Sequence, residues 1–446
     1  MLLRELARSN LFVVSLDEQD EWYRYHHLFS ELLLYELMRS RPDLVPILRR
    51  RASVWLEGAG FFEGAIRLAI VAADYQRVGQ LITHHWYGYV SAGQAATVER
   101  WLESLPEERI SHDGSLALVK AWLCALTGRR EESARFLTLA ESIPHEGPLP
   151  DGTASVESGV AILRATFGYD GVQSLLGAAR RAAELEPGES SPWAALVRFA
   201  LGSGLYLSGD TSQARKPLEE ALVLTEDGQR LVRVVTLSFL SFVATDEGRL
   251  DEAESRARAA VALVDRLRPY RIPQATLAPI ALGRALAHRG KPEEAQKELE
   301  NALSERRRLP ALSPWPTLIG LLALASVRAA RGERAGAREA LAEARTVLAT
   351  FPDAGMFPEL LERQERRLRA RIRLRKPREG QLDGELTERE LDVLRLLVGE
   401  LSTRQMAQNL YVEPSTVRTQ VKSIYRKLGV SSRAQAVEEA HARGLL

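Results

Sequence analysis

A glycine followed five residues later by an alanine recurs at Gly209/Ala214, Gly248/Ala253, Gly290/Ala295 and Gly332/Ala337, with the glycines 39, 42 and 42 residues apart. Going back along the chain, Gly168 and Gly128 keep the phase at intervals of 41 and 40, with Gln173 and Ser133 in place of the alanine. A glycine so placed ends a helix in a left-handed turn, and the small residue after it sits where two helices cross closely. An amphipathic segment follows each alanine, as in Leu218-Glu219-Glu220-Ala221-Leu222 and Leu299-Glu300-Asn301-Ala302-Leu303. The repeated unit is therefore a helical hairpin. One hairpin cannot bury its apolar face alone, so neighbours must stack into a solenoid.

These hairpins resemble tetratricopeptide-type repeats, at a period near 41 instead of about 34. Strand signals are scarce. The β-branched run Leu11-Phe12-Val13-Val14, a turn-like Asp17-Glu18-Gln19-Asp20 and then Trp22-Tyr23-Arg24-Tyr25 read as one small hairpin. The expected fold is all-α, apart from that hairpin. Trp193, Tyr206, Phe239, Phe242 and Trp315 are available either to pack the solenoid core or to line a ligand groove. The one cysteine, Cys124, lies in the apolar stretch 121–126 and reads as a buried small hydrophobe. With no second thiol an internal disulfide is excluded, and a reducing, cytoplasmic setting is expected. The longest uncharged apolar run, Leu318 to Val327, is half of what a membrane span needs, so no membrane association is expected.

Net charge is only +1, so any nucleic-acid surface must be local. The last sixty or so residues supply one. Thr387 with Glu390 forms a capping box that opens a first helix, whose apolar face is Leu391, Leu394 and Leu397/Val398 and whose stop is Gly399. Ser402 with Gln405 opens a second helix carrying Met406, Ala407 and Leu410. Pro414 starts a third that runs to about Leu428, Gly429 ends it, and Ser432 opens a fourth. On a helical wheel, Val417, Val421, Ile424 and Leu428 cluster toward a core, and Ser415, Arg418, Thr419, Lys422 and Arg426 lie opposite. Residues 381–446 carry nine Lys/Arg and nine Asp/Glu, yet no acid falls between Pro414 and Val437. Two short helices joined by a turn, the second presenting a basic face, is the geometry that docks in a major groove. These five side chains are the candidate contacts to double-stranded DNA.

The same segment resembles the LuxR-type helix-turn-helix through Leu386-Thr387-x-Arg389-Glu390, Val393-Leu394, Gly399, Ala407, Leu410, Thr416-Val417, Lys427-Leu428 and Arg433-Ala434. The resemblance implies that Arg418, Thr419 and Lys422 face the groove and that the fourth helix, with Ala434, Val437 and Ala440, pairs two copies on DNA. Departures from the family pattern are Asp392, Gln405, Glu413 and Gln420. Glu413 matters most, because it replaces a good N-cap and puts an acid at the DNA-facing end of the third helix, although a carboxylate there also suits the helix dipole.

Near the start, Tyr23-Arg24-Tyr25-His26-His27-Leu28-Phe29 and, further on, Trp55-Leu56-Glu57, Gly60, Ala72-Ala73-Asp74 and Leu81-Ile82 resemble the junction in large MalT-like regulators. In those, an ATPase module and a winged-helix segment precede sensor repeats and a LuxR-type end. The expected organisation is a winged-helix remnant at 1–43, helical linker hairpins at 44–110 and tetratricopeptide-like repeats at 111–360 that sense a protein or small-molecule effector. A basic linker follows at 361–383, then the helix-turn-helix at 384–446. The linker's arginines read equally as a solvated face or as added phosphate attraction. No GxxxxGK[ST] loop occurs, so no nucleotide cofactor is expected. The chain begins where the family's ATPase would already have ended, as a fragment or as a natural short form. Adjacent His26 and His27 point about 100° apart on a helix and suit a metal poorly. They and His84-His85 read as packing groups. No spacing argues catalysis, so the expected function is transcription regulation through DNA, with a repeat-based protein scaffold as the alternative.

Overall fold

The computed structural model describes residues 6, 12–15, 23–225, 229–267, 273–308, 313–351, 353–373, 386–399, 401–410 and 412–446. The chain divides into two compact units, Met1–Arg366 and Arg367–Leu446. In the first unit, strands Val13–Ser15 and Tyr23–Tyr25 pair antiparallel with Val13 opposite Tyr25 and Ser15 opposite Tyr23. This is the expected hairpin; its turn, Asp17 to Asp20, lies outside the described residues. Helix His27–Ser40 follows, and from Leu44 the described residues form helical hairpins.

The hairpins pair Leu44–Gly58 with Phe62–Val71, Tyr75–Ser91 with Ala95–Glu103, Gly114–Leu126 with Arg130–Ser142 and Val156–Phe167 with Val172–Leu185. They continue with Ala194–Leu207 and Thr211–Leu224, Arg230–Asp246 and Leu250–Leu267, Leu277–His288 and Pro292–Arg306, then Trp315–Ala330 and Arg334–Leu348. Helix Phe357–Arg373 comes last and takes in the first half of the span expected to be a basic linker. The basic segment 374–385 lies outside the described residues.

All six phased glycines have positive φ, between 60° and 96°, as a left-handed helix stop requires. The alanines Ala214, Ala253, Ala295 and Ala337 are 0% exposed. Their crossings follow one rule: the residue twelve positions earlier, on the first helix of the pair, is also small. Ser241 donates its hydroxyl to the Ala253 carbonyl at 2.8 Å, and in reverse Ser133 donates to the Ala121 carbonyl at 2.9 Å. Where the first-helix residue is glycine, the backbones themselves close up. A Cβ on Gly202 would lie 2.6 Å from Leu218 Cγ and 3.0 Å from the Ala214 carbonyl oxygen. Gly202→Val is therefore expected to cost about 1–3 kcal/mol by overpacking, read as a lower thermal midpoint of the first unit.

One sequence reading needs correction here. Gln173 is exposed, not a crossing residue, because that turn is one residue longer, with Gly171 also at positive φ, and Leu175 takes the buried place. Hairpins also lie within 44–110, where linker hairpins were expected, and share the left-handed stop at a shorter spacing than 41 residues. Gly60 and Gly93 carry the same left-handed stop at intervals of 33 and 35 before Gly128, with Ala65 and Val98 buried five residues on. Ser53 even donates to the Ala65 carbonyl across twelve residues, at 2.8 Å.

Of the five aromatics, Trp193, Tyr206 and Phe242 are core, and Tyr206 donates to Asp246 at 2.8 Å. Phe239 and Trp315 are buried too but line a cavity. Cys124 is fully buried, and burial pushes its thiol up to about 11. His85 stacks on Phe62 at 3.8 Å, as a packing group should, but His26 and His27 are exposed, their rings tilted against each other with centroids 4.4 Å apart. Among the described residues no group of three or more His, Cys, Asp or Glu could hold a metal, and no helix is long and apolar enough to cross a membrane.

Candidate nucleic-acid interface

The C-terminal unit holds helices Glu388–Leu397, Thr403–Asn409, Pro414–Leu428 and Arg433–Ala442, the four that the capping signals mark. Both capping boxes are complete: Thr387 with Glu390, and Ser402 with Gln405. Gln405 fills its box as well as a glutamate would, so that departure from the family pattern is structurally silent. Pro414 opens the third helix, Gly429 closes it at φ 72°, and the Ser432 hydroxyl accepts from the Gln435 N–H. Glu413 makes no side-chain cap bond, so the third helix starts without the bond that serine or threonine would give.

The core of this unit is Val393, Leu394, Leu397, Met406, Ala407, Val417, Ile424, Leu428, Ala436 and Ala440, with Val421 half-buried against it. That core sets the rotation of the third helix. With Val417, Ile424 and Leu428 turned inward, the wheel turns Ser415, Arg418, Thr419, Lys422 and Arg426 outward, and all five are exposed. The Thr419 hydroxyl donates to the Ser415 carbonyl one turn back, at 3.0 Å. Among the described residues Arg418, Lys422 and Arg426 have no acidic group within ion-pair distance. Their charge is unspent.

Three readings of detail are corrected. Val398 is 52% exposed, and Val393 takes the core position on the first helix. Gly399 is not left-handed, and the stop comes from elsewhere. Arg433, on the fourth helix, reaches the end of the first and donates to the carbonyls of Leu396 at 3.3 Å, Leu397 at 2.9 Å, Leu401 at 2.7 Å and also Gly399. A guanidinium there satisfies carbonyls that a helix C-terminus leaves open and complements its dipole. Arg433→Ala is expected to cost the unit about 1–3 kcal/mol, measured as the loss of amide-exchange protection over 388–397. On the fourth helix, Ala440 is buried and Val437 half-buried in the unit's own core, so neither is free for a second copy; Ala434 is exposed.

Glu390 does more than close a capping box. It is 6% exposed and accepts from the Thr387 N–H at 2.8 Å, the Ser423 hydroxyl at 2.8 Å and the Lys427 ammonium at 2.6 Å. Burial alone would push its carboxyl up. The Lys427 ammonium, the Thr387 N–H and the Ser423 hydroxyl outweigh burial and hold it down at about 2. Lys427 is thereby a strut between the first and third helices, in contrast to the outward Lys422 and Arg426.

Residues 1–45 match the MalT winged helix domain family, and residues 384–440 match the LuxR family of bacterial regulatory proteins. An HTH-type transcriptional regulator MalT of Cronobacter sakazakii is 32% identical over 145 residues, which is 32% of this chain and 16% of that protein. The aligned stretch is thus a small part of the relative's length. A Rap protein solved in complex with competence and sporulation factor aligns over 82% of this chain and 99% of its own, with TM-score 0.50 and 13% identity, a likeness of fold alone. The chain thus carries a segment similar to the MalT winged helix domain at one end and a segment similar to LuxR-family regulators at the other, with stacked helical repeats between.

Proposed function

We propose that this chain is a sequence-specific DNA-binding transcription regulator acting in the cytoplasm, with the solenoid as the part that senses an effector. Ser415, Arg418, Thr419 and Lys422 read base edges or flanking phosphates in the major groove, and Arg426 holds a phosphate. The observation that carries this is the unspent charge on the third helix. In the solenoid, Arg215, Arg249, Arg289 and Arg331 each lie against glutamates or aspartates, often one repeat away. On the third helix Arg418, Lys422 and Arg426 instead face solvent together, on a rigid element oriented by its own core. Burying such a face against phosphate releases counterions, which favours binding.

Two copies pair on DNA through the exposed strip of the fourth helix that contains Ala434, Glu438 and His441. The preferred site is then a two-fold repeat, with half-sites about one helical turn, roughly 10 base pairs, apart. Selection of duplexes from a random-sequence pool by the full chain tests the reading. A common two-fold sequence is the expected result; recovered duplexes with no shared sequence overturn it.

A further inference from the structure

The first helices of successive hairpins form the inner wall of the solenoid, and that wall encloses a cavity of about 120 Å³. Trp122, Phe167, Phe199 and Phe239, from four of these first helices, supply an aromatic lining. Three polar groups break it. Trp315 is buried and its Nε1–H has no hydrogen-bond partner; nor has the Gln274 side-chain oxygen. The third is Arg306, the last residue of its helix and 7% exposed.

Arg306 donates to the Pro273 carbonyl at 3.1 Å, the Ser313 carbonyl at 2.6 Å and the Thr317 hydroxyl at 3.3 Å. All three acceptors are neutral, and among the described residues no carboxylate lies within ion-pair distance of it. Burial pushes the guanidinium down to about 10, so it is still a cation at neutral pH. A buried charge without a counter-charge is costly, and a guanidinium has five N–H donors, of which three are used here. Among the described residues, then, the cavity offers Arg306 no counter-anion.

We infer that the inner wall of the solenoid holds a site for a small monocarboxylate, with its apolar body among Trp122, Phe167, Phe199 and Phe239 and its carboxylate on Arg306. The volume limits that body to about one benzene ring, since an engineered apolar cavity of about 150 Å³ takes benzene. A carboxylate matches the two free donors of a guanidinium as a bidentate acceptor, and charge-assisted pairs of this kind are the strong ones. The Trp315 N–H and the Gln274 amide, which can turn either its oxygen or its nitrogen inward, complete the polar side. This assignment rests on the reading of the repeats as the sensing part.

The test titrates benzoate and hexanoate into the full chain, followed by tryptophan fluorescence and calorimetry. Benzyl alcohol serves as the neutral counterpart and inorganic phosphate as an anion with no apolar body. Expected are saturable binding of one carboxylate per chain, at least tenfold tighter than benzyl alcohol, and no binding of phosphate. In Arg306→Gln the carboxylate advantage should disappear. Because Arg306 also anchors two backbone carbonyls, Leu231→Trp supplies a second variant: Leu231 is half-buried on the cavity lining, and a larger ring there fills the space and should block every probe. If no probe binds, or if Leu231→Trp binds benzoate as wild type does, the site is refuted. Equal affinity for benzoate and benzyl alcohol refutes the carboxylate class and leaves an apolar sensor. Saturation with benzoate that leaves affinity for a selected duplex unchanged within twofold refutes the sensing role, while the site stands.

Discussion

Glu390→Ala should lower the stability of the C-terminal unit by about 3–5 kcal/mol, enough to leave a domain of that size largely unfolded. The substitution removes the acceptor shared by the Lys427 ammonium, the Thr387 N–H and the Ser423 hydroxyl, and leaves a void where a buried carboxylate stood. Glu390→Gln should cost less, since an amide oxygen still accepts two of these bonds. Acid should mimic the loss. The carboxyl sits near 2 in the folded unit and at its ordinary 4.5 when unfolded. Its contribution is therefore complete above about pH 4.5, shrinks as pH falls, and is gone below about pH 2. Hydrogen exchange of the full chain over 388–428 measures both effects. A shift under about 1 kcal/mol in Glu390→Ala, or no loss of protection between pH 4.5 and 2, would show that the strut carries nothing.

What the sequence told and withheld divides along the range of the interactions. Local signals were legible: the capping boxes at Thr387 and Ser402, the proline at 414, the left-handed stops at Gly128 through Gly332 and Gly429, and the inward stripe Val417, Ile424, Leu428. Each acts within a turn or two of helix, so spacing alone encodes it. The Glu390–Lys427 strut spans 37 residues and the Arg433 cap 32 to 37, and no period or composition marks such pairs before the helices are placed. Arg306 was invisible for a similar reason. Its neighbours are carbonyls and aromatics from other repeats, and an arginine at a helix end reads as solvated. Hairpins were expected at 44–110, but Gly60 and Gly93 were not tied to the phased glycines because their spacing is shorter than the period that the later ones set.

The third-helix assignment predicts that Arg418→Ala loses about 1–3 kcal/mol on the selected duplex, a factor of roughly five to a hundred and fifty, and little on a scrambled one. Arg418 is exposed, with no ion pair among the described residues, so its removal leaves the core of the unit untouched and the loss falls on binding alone. Arg426 should behave differently. A phosphate contact carries no sequence information, so Arg426→Ala weakens all duplexes alike and flattens the salt dependence by about one counterion.

The most direct measurement is a binding titration of the full chain and of Arg418→Ala against the selected and the scrambled duplex at several salt concentrations. The account predicts that the wild type prefers the selected duplex, that Arg418→Ala loses most of this preference, and that affinity falls steeply with salt for both duplexes. A wild-type chain that binds the two duplexes equally, or an Arg418→Ala chain that keeps the full preference, would contradict the assignment of this helix to DNA reading.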